Sequence, residues 1–235
     1  MPVMTRPGTL VLVTRPKGSS DALLADLEAL GADVLEAPVQ EIVPIGDLVD
    51  LPANTSALFT SRHAVGRVGS AKGRAAYCVG DATAEAARTA GFSAVSASGD
   101  AEDLLALLIR ERPGGAFAYL RGRHVSQDLE KDLRDQGFNV SSQVVYDQRE
   151  IALSAEALAS AQGADRLILP LFSARSARLL AQQLPDRIVP IVVAISAKTA
   201  DAWGRATRKR LIAEAPTALA VLDLTLRALD SDSPS

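Results

Sequence analysis

VGDATAEAARTAGF, residues 79–92, runs from the end of an apolar strand straight into a helix, and AISAKTADAWGRA, residues 194–206, repeats the pattern. In both stretches small residues and a Thr-Ala pair open the helix. Thr83 and Thr199 therefore take equivalent places, each expected to present its hydroxyl at the mouth of a helix. A strand-to-helix junction that occurs twice points to repeated βα units, and the rest of the chain bears on that reading.

Around the two junctions short β-rich runs alternate with helical ones. TLVLVTR (9–15) is an apolar strand followed by SSDALLADLEALG, a helix in which Ser19 or Ser20 caps the start, Leu23, Leu24, Leu27 and Leu30 share a face, and Gly31 ends the run. ADVLEAPV (32–39) is the next strand, closed by Pro38. Further strands are expected at SALFTS (56–61), AAYCVG (75–80), FSAVSA (92–97), AFAYLRG (116–122), NVSSQVVYDQRE (139–150), RLILPLF (166–172), IVPIVVAI (188–195) and RLIAEA (210–215). Helices are expected at AEDLLALLIRE (101–111), stopped by Pro113-Gly114-Gly115, at SQDLEKDLRDQG (126–137), and after each hydroxyl-bearing junction. Strict βα alternation predicts parallel sheets covered by helices on both faces.

Laid over one another, the two halves show a weak internal repeat. VLVTRP (11–16) matches AYLRGR (118–123), and FTSRHAV (59–65) matches LFSARSA (171–177). VGDATAEA (79–86) matches ISAKTADA (195–202), and GDAEDLLALL (99–108) matches EAPTALAVLD (214–223). Two copies of one αβ module fit this pattern better than a single eight-stranded barrel.

Composition narrows the function classes. The 235 residues are 48% hydrophobic and 23% charged, a globular balance with ample material for cores. Lys and Arg number 25 against 28 Asp and Glu, a net charge of −3, which argues against a non-specific nucleic-acid surface. One cysteine, Cys78, excludes an internal disulfide framework and fits a reducing cytosol. Charges interrupt every apolar run before about 18 residues, so no membrane-spanning helix is expected. The start MPVMTRPGTL lacks the apolar run of a secretory signal, and the tail DSDSPS (230–235) reads as solvated chain end; the expectation is a cytoplasmic protein.

In open α/β sheets ligands bind beyond the carboxyl ends of the strands. Here those positions hold Thr14-Arg15, Thr60-Ser61-Arg62, Gly80-Asp81-Ala82-Thr83, Arg121-Gly122-Arg123, Ser173, and Ser196 to Thr199. Small hydroxyls, helix N–H groups and arginines together suit carboxylates or phosphates. Each Ser or Thr also has an ordinary reading as a helix cap, and each arginine as a solvated surface residue. Recurrence at matching positions in both halves is what points to a site. Tyr146 ends the run QVVY and reads either as a half-buried core ring or as a phenol offered as a weak acid.

Other chemistries find little support. The only histidines, His63 and His124, lack partners at metal-ligand spacing. No GxSxG elbow, Walker loop or GxGxxG opens a helix, which disfavours serine hydrolase, P-loop and dinucleotide chemistry. Cys78 lies in an apolar strand as packing, and Trp203 is expected on the apolar face of its helix.

Taken in order, VLVTRP, FTSRHAV, VGDATAEAARTAGF, the block from Leu120-Arg121-Gly122 to Tyr146, ISAKTADAW and EAPTALAVLDLTL resemble the motifs of the uroporphyrinogen-III synthase family across roughly residues 9–226. The resemblance implies an α/β fold of two parallel-sheet αβα domains, a flavodoxin-like tandem joined by a two-stranded antiparallel linker. Domain one would be 1–37 plus 150–235, domain two 38–149, with linker strands near 36–40 and 145–150. The implied reaction cyclises hydroxymethylbilane to uroporphyrinogen III in a cleft between the domains, losing water and inverting ring D, with no cofactor and no metal.

Carried over by the same resemblance, Tyr146 is the general acid, and Thr83 and Thr199 are catalytic. Thr14, Arg15, Ser61, Arg62, Gly80, Ser173, Ser196 and Lys198 bind substrate. The implied protein is a monomer, with transient contact to the upstream deaminase and no nucleic-acid or membrane partner. Two places depart from the family pattern: Ser196-Ala197-Lys198 stands where Gly-Pro usually precedes the second Thr-Ala, and Ala174-Arg175 replaces a Ser-Pro start. The alternatives to an enzyme are a non-catalytic two-domain module that senses an acidic tetrapyrrole-like ligand, and a partner-bound scaffold.

Overall fold

The pentapeptide TLVLV forms β1 (Thr9–Val13), a strand buried on both faces along its whole length. Leu10 and Leu12 pack to one side and Val11 and Val13 to the other, so each side of its sheet builds a separate core. A continuous apolar run, rather than an alternating one, is what a helix-covered parallel strand requires. The computed structural model describes residues 8–125 and 127–230. The readings of the start before Gly8, of Ser126 and of the tail past Asp230 lie outside the described residues.

The chain divides into two units. The first holds the described residues up to Glu41 and those from Glu150 onward; the second holds Ile42–Arg149. In the first, β1 is joined by β2 (Val34–Glu36), β9 (Arg166–Leu171), β10 (Ile191–Ala194) and β11 (Lys209–Ile212), ordered β11-β10-β9-β1-β2 with every ladder parallel. Helices α1 (Asp21–Ala29) and α9 (Ala218–Asp230) supply one core, with Leu23, Leu27, Val221 and Leu229. The other core receives α6 (Ala155–Gly163), α7 (Ala174–Gln183) and α8 (Ala197–Asp201), with Ala157, Leu180, Ala200 and Trp203.

The second sheet orders β3 (Gln40–Pro44), β8 (Asn139–Glu150), β7 (Ala116–Gly122), β4 (Thr55–Phe59), β5 (Ala75–Cys78) and β6 (Ser93–Ser96) as β3-β8-β7-β4-β5-β6, the outer ends of β3 and β8 belonging to the first unit. The ladders from β8 to β6 are parallel. Helices α2 (Arg62–Val65) and α3 (Asp81–Thr89) cover Ala57, Phe59 and Cys78. On the other face α4 (Ala101–Glu111) and α5 (Leu129–Asp135) cover Leu58, Phe117 and Tyr119.

Counted along the chain, the first sheet has the order 2-1-3-4-5, the flavodoxin-like arrangement. The second repeats it when β7 is counted first, so β7 and β8 stand where β1 and β2 stand in the other unit. That is the pairing the sequence repeat makes between AYLRGR and VLVTRP. The second copy is a circular permutation of the first.

Three local expectations need correction. Alternation fails where β2, β3 and β4 follow one another without a helix, because the chain there leaves one unit and edges the sheet of the next. Ser20 takes the first position before α1, yet neither its hydroxyl nor that of Ser19 caps the helix. With φ −118° and ψ −5° the Ser20 backbone is not extended, so its side chain is not aimed at the first-turn amides. Trp203 is buried as expected but lies beyond the end of α8, its indole N–H donating to the Ala206 carbonyl at 3.4 Å.

Candidate functional site

In a 2-1-3-4-5 sheet the chain reverses direction between strands one and three, and loops diverge there at the carboxyl ends to leave a crevice. In the second unit that point lies between β7 and β4, and it gathers Thr60, Ser61, Gly122 and Arg123. Ser61 has extended backbone and caps α2, accepting from the His63 N–H at 3.3 Å. Its hydroxyl also bonds the Tyr146 phenol. The neighbouring Thr60 hydroxyl lies 3.1 Å from the phenol of Tyr119, so two successive residues at the end of β4 each hold a tyrosine.

Tyr146 reaches this point because β8 bulges. Arg121 opposes Val144 but Gly122 opposes Tyr146, so Val145 is the extra residue and the ring turns toward Gly122. The Arg123 N–H donates to the Tyr146 carbonyl at 3.0 Å and fixes the strand beyond the bulge. The His63 ring meets the phenol ring edge-on at 5.8 Å. Tyr146 is only 4% exposed, and burial raises its pKa above the ordinary phenol value, with the Ser61 bond working the other way.

α3 begins at Gly80, whose backbone is extended and which offers no side-chain cap to the first-turn amides. A methyl group at Gly80 would come no closer than 3.6 Å to the Gly99 carbonyl, so the fold itself does not demand glycine there. Arg62 is exposed, in a shallow groove between α2 and α3 with Ala82 and Glu85. Arg123 is engaged by Asp147 at 3.0 Å, and Arg121 donates to the Gly122 carbonyl at 3.1 Å.

The first unit has its reversal between β1 and β9. Thr14 is 1% exposed there, and the Arg15 guanidinium lies 4.5 Å over the Phe172 ring, directly beside Ser173. Ser173 caps α7 through the Ser176 N–H at 3.0 Å, as Ser61 caps α2. One strand further, Ser196 caps α8 through the Thr199 N–H at 3.3 Å, with the two hydroxyls 3.1 Å apart. Lys198 points to solvent.

Thr83 and Thr199 do occupy the same place: each is the third residue of its helix, its N–H turned back to the carbonyl before the helix at 3.1 Å. The expectation of hydroxyls displayed at the helix mouth is not met. At 7% and 3% exposure both side chains are buried, on helices that pack against a neighbour, α3 against α2 and α8 against α7. Sequence reading also passed over Gly122 as the seat of Tyr146, Tyr119 as the partner of Thr60, and Gln40. The register across the β8 bulge was the missing information. Among the described residues no group of three or more His, Cys, Asp or Glu comes together as a metal site, and no helix is long and apolar enough to cross a membrane.

Two flavodoxin-like units, each carrying capping hydroxyls and arginines at its chain reversal, define a tandem α/β protein. The uroporphyrinogen-III synthase HemD family model matches residues 21–223, and the chain belongs to that family, one of tetrapyrrole-biosynthesis enzymes. Among solved structures it is similar to uroporphyrinogen-III synthetase from Helicobacter pylori, at 18% identity and TM-score 0.67, covering 94% of this chain and 99% of that one. It is also similar to a mutant uroporphyrinogen III synthase from Thermus thermophilus, at 20% identity and TM-score 0.51, covering 95% and 100%. At these identities the structures speak for the fold. Comparison with curated proteins finds no match.

Proposed function

We propose that this protein cyclises hydroxymethylbilane to uroporphyrinogen III as a hydro-lyase, releasing the terminal hydroxyl as water and inverting ring D. The observation that carries this reading is the Ser61–Tyr146 pair seated on Gly122 at a chain reversal, in a chain of this family.

The chemistry asks little of a strong acid. The electron-rich terminal pyrrole expels the hydroxymethyl oxygen, and that oxygen becomes basic as the bond breaks. A phenol held neutral by burial gives its proton at that moment, while Ser61 supports the oxygen left behind. Thr83 and Thr199 stay assigned to the site as buried groups that shape the first helical turns. Arg15, Arg62, Lys198, Thr14, Ser173 and Ser196, with the N–H groups after Gly80, are the donors proposed for the substrate's carboxylates. Holding a flexible chain so that the correct carbon closes the ring is entropic catalysis.

The reading extends to a monomer acting in the cytoplasm and receiving its unstable substrate from the upstream deaminase. Freshly generated hydroxymethylbilane and chromatographic resolution of the products test the activity. Isomer III in excess of the enzyme-free control supports it. Isomer I alone, the spontaneous product, removes it.

A further inference from the structure

Gln40, at the start of β3, is 2% exposed, and its side-chain amide is committed to one partner: Nε2 donates to Ser176 Oγ at 2.7 Å. The amide oxygen is sealed from solvent without a hydrogen-bond partner. Ser176, 6% exposed in the first turn of α7, lies with its hydroxyl 2.8 Å from Ser173 Oγ and donates its backbone N–H to the same oxygen at 3.0 Å.

The direction of the serine–serine bond follows from burial. A buried hydroxyl proton requires an acceptor. Ser176 Oγ already accepts from Gln40, and the acceptor within reach of its proton is Ser173 Oγ. Ser173 then accepts twice, from the N–H and the O–H of Ser176. Its own proton is turned away from α7, toward the half-exposed end of β9.

We propose that Gln40 is a positioning residue: through Ser176 it sets the Ser173 hydroxyl as a donor toward an anionic group of the substrate. This rests on the assignment of Ser173 to the substrate site under the proposed function. A glutamine is needed because its amide nitrogen can only donate. A carboxylate of the same shape would accept the Ser176 proton, leave Ser176 to accept from Ser173, and turn the Ser173 proton inward.

The test compares the full-length wild type with Gln40→Glu, Ser173→Ala and their combination, using freshly generated hydroxymethylbilane, with thermal unfolding of each. Gln40→Glu is expected to raise KM about tenfold, the size of one lost bond to a charged group, while kcat changes by less than about twofold. In the Ser173→Ala background the same substitution should add nothing. An unchanged KM, or an equal rise in both backgrounds, overturns the proposal. Should Gln40→Glu fail to fold, Ser176→Ala removes the relay with Gln40 in place and is read by the same criteria. Wild type that yields only isomer I would sink the functional reading instead. The relay is then decided by NMR: the amide proton of residue 176 moves downfield in Gln40→Glu (or in Ser176→Ala) as Ser173 Oγ loses its competing hydroxyl donor and accepts the N–H bond more strongly, and an unmoved resonance overturns it.

Discussion

The Tyr146 ring rests so directly on Gly122 that a methyl group at position 122 would fall 2.7 Å from the ring's Cζ and 2.8 Å from the phenol oxygen. No real Cβ contact is that short, so the bare backbone of Gly122 is what lets the phenol reach Ser61. Gly122 has an ordinary backbone for any residue, and its smallness is used here for close approach rather than for a turn.

Gly122→Ala should therefore displace the phenol. Backbone and ring must separate by several tenths of an ångström in a packed region, which costs about 1–3 kcal/mol of stability. Ring closure should fall further than stability alone explains, because the Ser61–Tyr146 bond is lost. Circular dichroism on heating and the rate of isomer III formation measure the two effects. An alanine variant with wild-type turnover would show that the phenol's seat is irrelevant.

Tyr146→Phe removes only the hydroxyl and keeps the ring on Gly122 and against His63. The fold should survive, with a melting point within a few degrees of wild type. The rate should fall by about 10²- to 10⁴-fold if the phenol supplies the proton. Single-turnover formation of isomer III gives the number, and a loss below about threefold would assign the ring to packing alone.

The alternation of strands and helices was legible because parallel strands buried on both faces are unbroken apolar runs, as in TLVLV and RLILPL. The repeat was legible because Ser61 and Ser173 cap equivalent helices, and Thr83 and Thr199 fill equivalent third positions. Gln40–Pro44 was not legible as an edge strand, since its Gln and Glu break the apolar pattern and its partner is about a hundred residues away. The burial of the two threonines escaped for a similar reason. A Thr-Ala pair at a helix start looks the same in sequence whether its neighbouring helix is packed against it or absent.

Arg166 makes a prediction about stability without chemistry. It is 6% exposed at the start of β9, where its guanidinium bonds the carbonyls of Ala228 and Leu229 at the end of α9. The arginine thereby ties the start of β9 to the last described turn of α9. Arg166→Met should fill much of the space yet remove both charge-assisted bonds, at a cost of about 2–4 kcal/mol. Denaturant unfolding should show the loss, while kcat per folded molecule stays unchanged.

Stability should also fall at alkaline pH, and Cys78 gives the sign. Burial in β5 pushes its thiol from 9.0 up to about 11, with Arg88 pulling slightly the other way. Between those values the unfolded chain loses the Cys78 proton while the folded chain keeps it, so unfolding becomes easier as pH rises. The contribution is fully present below pH 9 and gone above the folded value, amounting to about 3 kcal/mol. The phenols of Tyr77, Tyr119 and Tyr146 are raised by burial as well and add in the same direction at higher pH. Cys78→Ala should cost about 1 kcal/mol at pH 7 through the small cavity it leaves. It should then lose less stability than wild type between pH 8 and pH 10.5. Urea unfolding at the two pH values measures both slopes, and parallel slopes would mean that the thiol ionises in the folded protein as readily as in the unfolded chain.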